Sequence, residues 1–303
     1  MALHRVMFLA LGMAGPMMGQ ADDPKSYPRE ALPAIVVPWE LGGEKFGRHT
    51  RAQDSAPFAA HRMVGRIHYV GQTDYAAYLI PTPAGHILID ATFESEVPLI
   101  RKSVEELGYR FGDIRILLIT HAHRDHAGGA FRVKEMTGAK LMVMDRDVEA
   151  VERGGPDMRA VKVDRVLHDR EVVELGGVKI VAYRTPGHTP GNTTYAWTEE
   201  VDGKPLAVVV SGSLSSSART LAAPPAPTLI EDYLATFRLL KSLPCDVFLS
   251  SHGKFFDLRE KYAAMGKGGE NPYIDPKGYR AHIKLMEQSF FYKLDYANRQ
   301  TVR

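Results

Sequence analysis

Cysteine is almost missing from this 303-residue chain, in which Cys245 stands alone. An internal disulfide is therefore excluded. Set between Leu243-Pro244 and Val247-Phe248, Cys245 reads as a side chain that fills the core. Nothing around it suggests the electropositive, accessible setting that a nucleophilic thiol needs. An excess of charge of one sign is lacking too. The formal net charge is +2, from 38 Lys and Arg against 36 Asp and Glu. No block of like charge stands out, so a nucleic acid is not expected as a partner. No apolar run reaches the length of a membrane-spanning helix. What remains is an ordinary globular composition, 45% apolar and 24% charged, on a chain long enough to build its core without cross-links.

The beginning of the chain has its own character. His4 and Arg5 precede an apolar stretch over Val6–Met18, and Gly19-Gln20-Ala21 offers small residues for cleavage. Residues 1–21 are therefore expected to be a secretory signal that delivers the rest to the periplasm. No cysteine follows for a lipid anchor, so no membrane attachment is expected after its removal. Residues 22–60, rich in proline, glycine and charge, read as an extended arm wrapping the domain formed by 61–303.

Within that domain the apolar pattern predicts strands at Ile67–Val70, Ala76–Ile80 and His86–Asp90, with Pro81–Gly85 as a hairpin. A helix is predicted over Glu96–Leu107, ending at Gly108. Ile114–Thr120 is a continuous apolar run, as in a strand buried on both faces. Helices follow at Gly129–Met136 and Arg146–Arg153, around a strand at Leu141–Met144. Strands recur at Glu171–Leu175, Val178–Tyr183, Thr193–Trp197, Leu206–Val210 and Val247–Leu249. Ile230–Lys241 and Tyr279–Tyr296 complete the helices. Two comparable α/β halves imply a layered sandwich of two sheets flanked by helices, a single domain with its site across the seam.

The chemistry gathers in His121-Ala122-His123-Arg124-Asp125-His126, placed directly after the buried strand. Two more histidines lie in small-residue loops, His188 in Thr-Pro-Gly-His-Thr-Pro-Gly and His252 in Ser-Ser-His-Gly. Imidazole and carboxylate donors at this density point to two zinc ions, which make hydroxide available at neutral pH. Positions 121, 123, 125 and 126 suit a loop leaving a strand rather than a helix. Alternation throws His121 and His123 to one side, and a turn at Arg124 lets Asp125 and His126 reach a second point. His4, His49, His61, His68, His86, His168 and His282 are isolated and receive no role; His86 reads as a half-exposed strand side chain.

These motifs resemble those of the metallo-β-lactamase superfamily, most closely its class B lactamases of the third subclass. Arg66-Ile-His-Tyr-Val-Gly71, Thr120–Gly129 and Leu229–Tyr233 each resemble segments of that group, and the likeness covers nearly all of residues 60–300. The resemblance implies a four-layered αβ/βα sandwich. It implies His121, His123 and His188 on one zinc, with Asp125, His126 and His252 on the other. It also implies hydrolysis of the β-lactam amide bond of antibiotics by a zinc-bound hydroxide that Asp125 orients, on a small-molecule substrate, by an enzyme expected to be a monomer.

The ligand loop alone does not choose a substrate. Related thioesterases, lactonases and nucleases place a metal-bridging aspartate where this chain has Ser211-Gly-Ser213-Leu-Ser215, and first-subclass lactamases place a cysteine there. Serine hydroxyls are poor zinc ligands, and third-subclass enzymes use Ser213 and Ser215 equivalents to hold the substrate carboxylate. A lactonase or thioesterase, or a periplasmic zinc carrier, is the alternative. Two features depart from the group: the disulfide partner that some relatives carry near residue 275 is missing, and the arm diverges. Trp39 and Phe46 in the arm read as anchors to the core rather than as groove residues.

Overall fold

Alternation along a strand sends neighbouring side chains to opposite faces, and over Ile87–Ile89 and Leu117–Ile119 both faces are buried. The computed structural model describes residues 50–217, 221 and 228–301, all within one compact unit. The expected signal, most of the arm, Trp39 and Phe46 lie outside the described residues.

In chain order the elements begin with α1 (Arg51–Asp54), β1 (His61–Val64), β2 (Ile67–Tyr69), β3 (Tyr78–Thr82) and β4 (Gly85–Ile89). The first half continues with α2 (Val97–Glu106), β5 (Ile114–Leu118), α3 (Arg124–Ala127), α4 (Ala130–Thr137), β6 (Lys140–Met144), α5 (Val148–Arg153) and β7 (Arg165–Leu167). The second half holds β8 (Glu171–Leu175), β9 (Val178–Arg184), β10 (Thr193–Val201), β11 (Lys204–Ser211) and α6 (Thr228–Ser242). It closes with β12 (Val247–Ser250), α7 (Leu258–Ala264) and α8 (Pro276–Thr301). Strands β1 to β7 form one sheet in sequential order, and a five-stranded sheet runs β12-β11-β10-β9-β8. Strands β4 to β7 pair in parallel, as do β11 and β12.

The expected sandwich is what forms. Ile87, Ile89, Ile116 and Leu118 face the second sheet in one core. Leu88, Leu117 and Ile119 point the other way, onto Val97, Ile100 and Val104 of α2 and Val133 of α4. Behind the second sheet, Phe248 of β12 meets Tyr279 of α8, and Tyr233 of α6 packs on Phe290 of α8. Continuous apolar runs were the right signature, because helices cover both outer faces. Cys245 is buried as expected, and loss of solvation pushes its thiol up to about 12.

Several elements differ from expectation for identifiable reasons. Residues 51–54, inside the expected extended arm, are a helical turn. A capping box fixes it, with the Thr50 side chain on Gln53 N–H and the Gln53 side chain on Thr50 N–H. The β1 and β7 strands were not predicted; three or four residues carry little pattern, and their form comes from pairing with β2 and β6. Helix α7 was likewise missed. His86 is buried rather than half-exposed, its ring against Tyr109.

Leu88 is fully buried between β4 and α2. Leu88→Ala should cost roughly 2–5 kcal/mol of folding stability, read from the shift of the urea unfolding midpoint. A loss below about 1 kcal/mol would contradict close packing of this layer.

Candidate metal centre

The segments that carry the candidate ligands all follow strand ends. His121 follows β5, His188 follows β9 and His252 follows β12. The two sheets are tied where these ends meet. Thr193 N–H donates to Thr120 O (2.7 Å) and the Tyr195 hydroxyl to Ile119 O (2.8 Å). On the other side the Tyr78 hydroxyl donates to Ser250 O (2.6 Å). The run 121–126 is not simply a loop: α3 begins at Arg124, with Ala127 N–H on His123 O (2.8 Å). That helical turn, starting one residue after His123, swings Asp125 and His126 away from the first pair.

Two donor groups result. In each of His121, His123 and His188, and Asp125, His126 and His252, the ligand atoms lie within 4.8 Å of one another. In the second group His126 Nε2 is 3.3 Å from His252 Nε2 and 3.3 Å from an Asp125 oxygen, with His252 Nε2 and Asp125 at 3.7 Å. A tetrahedral ion with bonds of about 2.0–2.1 Å requires donor separations of about 3.3–3.4 Å. The spacing therefore fits a metal. In the first group His121 Nε2 is buried without a hydrogen-bond partner among the described residues, which a bound metal would explain.

The opposite ring nitrogens are occupied, and this orients the donors. His126 Nδ1 is 2.9 Å from Asp90 and His252 Nδ1 is 2.9 Å from Asp74, so each donates to a buried carboxylate and turns its Nε2 toward the other donors. Asp90 also accepts the Thr120 hydroxyl (2.7 Å), whose oxygen accepts from His121 Nδ1 (3.2 Å). His188 Nδ1 donates to Ser215 O (2.9 Å), a carbonyl that also accepts the Tyr233 hydroxyl (2.7 Å). Tyr233 presses close to the backbone beside His188. A Cβ at Gly187, where φ is +134°, would sit 2.8 Å from the Tyr233 ring, so only glycine fits.

Sequence reading missed Asp74, Asp90 and Tyr233. One signal was available: Asp90 directly follows a strand end next to the ligand strand. Asp90 (φ 62°) and Thr92 (φ 51°) both adopt left-handed backbone, costly for a β-branched residue and typical of functional sites.

The two groups differ electrically. Burial lowers His188 to about 3, and burial with neighbouring imidazoles keeps His121 well below its ordinary value. Burial opposes charge on His126 as well, but Asp125 and Asp90 outweigh it and push the ring upward. Against the cost of its own burial, Asp125 is held well below the usual carboxylate range by His126 and His252. The first group is thus neutral and ready to bind, whereas a cation entering the second must displace a proton.

The predicted serines sit beside the first group. Ser213 is buried with its hydroxyl on that of Ser215 (3.0 Å), and the Ser215 hydroxyl lies 3.1 Å from His188 Nδ1. Ser215 and Ser216 divide a groove. One side, of about 290 Å³, reaches His123, His188 and Tyr233; the other, of about 270 Å³, reaches His252, Lys254 and Lys293.

Metal binding to metal-free protein should therefore show two events. One equivalent should release about one proton near neutral pH and strengthen as pH rises, because deprotonating His126 becomes easier. The other should release almost none. Calorimetric titration in buffers of different ionisation enthalpy separates them, and two proton-silent events would contradict the assignment.

Comparison with known proteins agrees with this geometry. The metallo-beta-lactamase superfamily model matches residues 70–252. The fold is similar to that of the FEZ-1 metallo-beta-lactamase of Legionella gormanii, at TM-score 0.78 and 40% identity, covering 80% of this chain and 98% of that one. It is also similar to BJP-1, a subclass B3 metallo-beta-lactamase of Bradyrhizobium japonicum, at TM-score 0.77 and 31% identity, covering 82% and 98%. Among curated sequences, a hydroxyacylglutathione hydrolase of Methylobacterium nodulans is 32% identical over 104 residues, 34% of this chain. That match spans only 36% of the relative's length.

Proposed function

Because the chain belongs to the metallo-β-lactamase superfamily, we propose that it is a di-zinc hydrolase that opens the amide bond of β-lactams. One observation carries this reading. The two donor groups face a groove whose neighbouring strand end, Ser211 to Ser215, offers hydroxyls and no carboxylate or thiol. When bound, zinc lowers the pKa of its water to about 7 and polarises a substrate carbonyl.

The chain's own residues do the rest. His121, His123 and His188 hold one ion, and Asp125, His126 and His252 hold the other. Asp125, partly exposed beside His126, orients the attacking water with its free lone pairs. Ser215, backed by Ser213, donates to the substrate carboxylate. Lys254, paired with Asp74, and Lys293, bonded to the Ser216 carbonyl, line the same side of the groove. The signal pattern at 1–21 suits export to the periplasm, where such antibiotics arrive.

The matching hydroxyacylglutathione hydrolases favour a second reading, a thioesterase of the same fold. Against it stands the lack of an acidic residue at Ser211–Ser215 to bridge two metals. Turnover of nitrocefin, a lactone and a glutathione thioester by the zinc-loaded protein, each with and without EDTA, decides between them. EDTA-sensitive nitrocefin hydrolysis is expected, and thioester turnover in its absence would replace the lactamase reading.

Asp125→Ala should abolish hydrolysis and lower the zinc content. Ser215→Ala should mainly raise KM with kcat nearly kept. Full activity and normal zinc in Asp125→Ala would remove the proposed mechanism.

A further inference from the structure

Asp147 lies at the end of a short turn after β6, is only 2% exposed, and accepts its hydrogen bonds from Ala122, Thr189 and Gly191 rather than from any of the six candidate ligands. It is nevertheless where the loops of the first donor group meet. One oxygen accepts the N–H of Ala122, the residue between His121 and His123 (2.8 Å), and the hydroxyl of Thr189, the residue after His188 (2.7 Å). The other accepts the N–H of Gly191 (2.7 Å). A Cβ at Gly191 would sit 2.7 Å from the carboxyl carbon of Asp147, so the His188 loop is seated directly on this group.

All three donors are neutral, and among the described residues no Lys or Arg pairs with Asp147. A buried carboxylate without a cation is costly, and it needs a reason. The second donor group has Asp125 as a ligand, Asp90 on His126 and Asp74 on His252. The first consists of three neutral imidazoles with no carboxylate directly on any ring. Its hydrogen bonds hold the Asp147 carboxylate beside this group on both sides, at the residue between His121 and His123 and at the residue after His188, where a negative charge favours a bound cation.

We propose that Asp147 is the positioning residue and counter-charge of the three-histidine site. It ties the His121–His123 loop to the His188 loop and supplies the negative charge that the ligands themselves lack. This rests on the reading above that those histidines hold a metal.

Chelator competition on the zinc-loaded full chain tests it, with each equivalent followed separately and cobalt(II) absorption as a second readout. His188→Ala first identifies the equivalent that belongs to the three-histidine site. Asp147→Asn keeps the shape and removes the charge. It should weaken that same equivalent about 10- to 100-fold, the range for loss of a partner outside the ligands, and leave the other within about twofold. Thr189→Val removes one tie and keeps the charge, so its loss should be smaller. It also serves where Asp147→Asn does not fold: the weakening must then fall on the same equivalent alone.

If His188→Ala leaves both equivalents in place, the metal assignment itself fails. If His188→Ala removes an equivalent that the Asp147 and Thr189 variants bind at full strength, only the Asp147 inference falls. Equal weakening of both equivalents would mark a merely structural role and overturn it as well.

Discussion

The hydrogen on each ligand imidazole decides whether this site can exist. An imidazole that carries hydrogen on the nitrogen facing its neighbours repels a cation, and one that carries it on the far nitrogen welcomes it. Asp90, Asp74 and the Ser215 carbonyl bias it by accepting at Nδ1 of His126, His252 and His188, which turns each Nε2 inward. Asp90 extends the same control to His121 through the Thr120 hydroxyl. The sandwich is arranged around that requirement. Parallel strands β4, β5 and β6 end side by side, so acceptor and ligand arrive on adjacent strand ends.

Such an arrangement is expensive. Asp74 and Asp90 are both buried, and each buried charge carries a desolvation cost of several kcal/mol. Lys254 offsets part of it at Asp74, with its ammonium 2.8 Å away. The left-handed backbone at Asp90 and Thr92 adds strain of about 1–3 kcal/mol per residue. A fold selected for stability alone would have no use for these features, and the proposed metal site explains them together. The neutral and proton-bearing donor groups then differ in when they can load, although they share one groove.

The six clustered donors were legible because histidine density and spacing are rare signals that survive without a structure. Their division into two groups was legible too, although the physical reason differs: a helical turn at Arg124, not an irregular loop, rotates Asp125 and His126 away. The layered fold followed from apolar runs buried on both faces. What escaped was whatever depends on distant contacts. Asp74 in Gly-Gln-Thr-Asp reads as a turn, and Asp147 reads as the start of a helix. Tyr233 carries no local sign that its hydroxyl reaches the Ser215 carbonyl 18 residues away. His86 looked half-exposed because alternation alone does not reveal that Tyr109 covers it.

Cys245 has a consequence of a different kind. A sheltered thiol pushed up to about 12 stays protonated at any physiological pH and offers oxidants almost no thiolate. With no second cysteine to join, folding calls for no disulfide oxidase or disulfide isomerase. The native state should be reached equally well in a reducing cytosol and in an oxidising compartment.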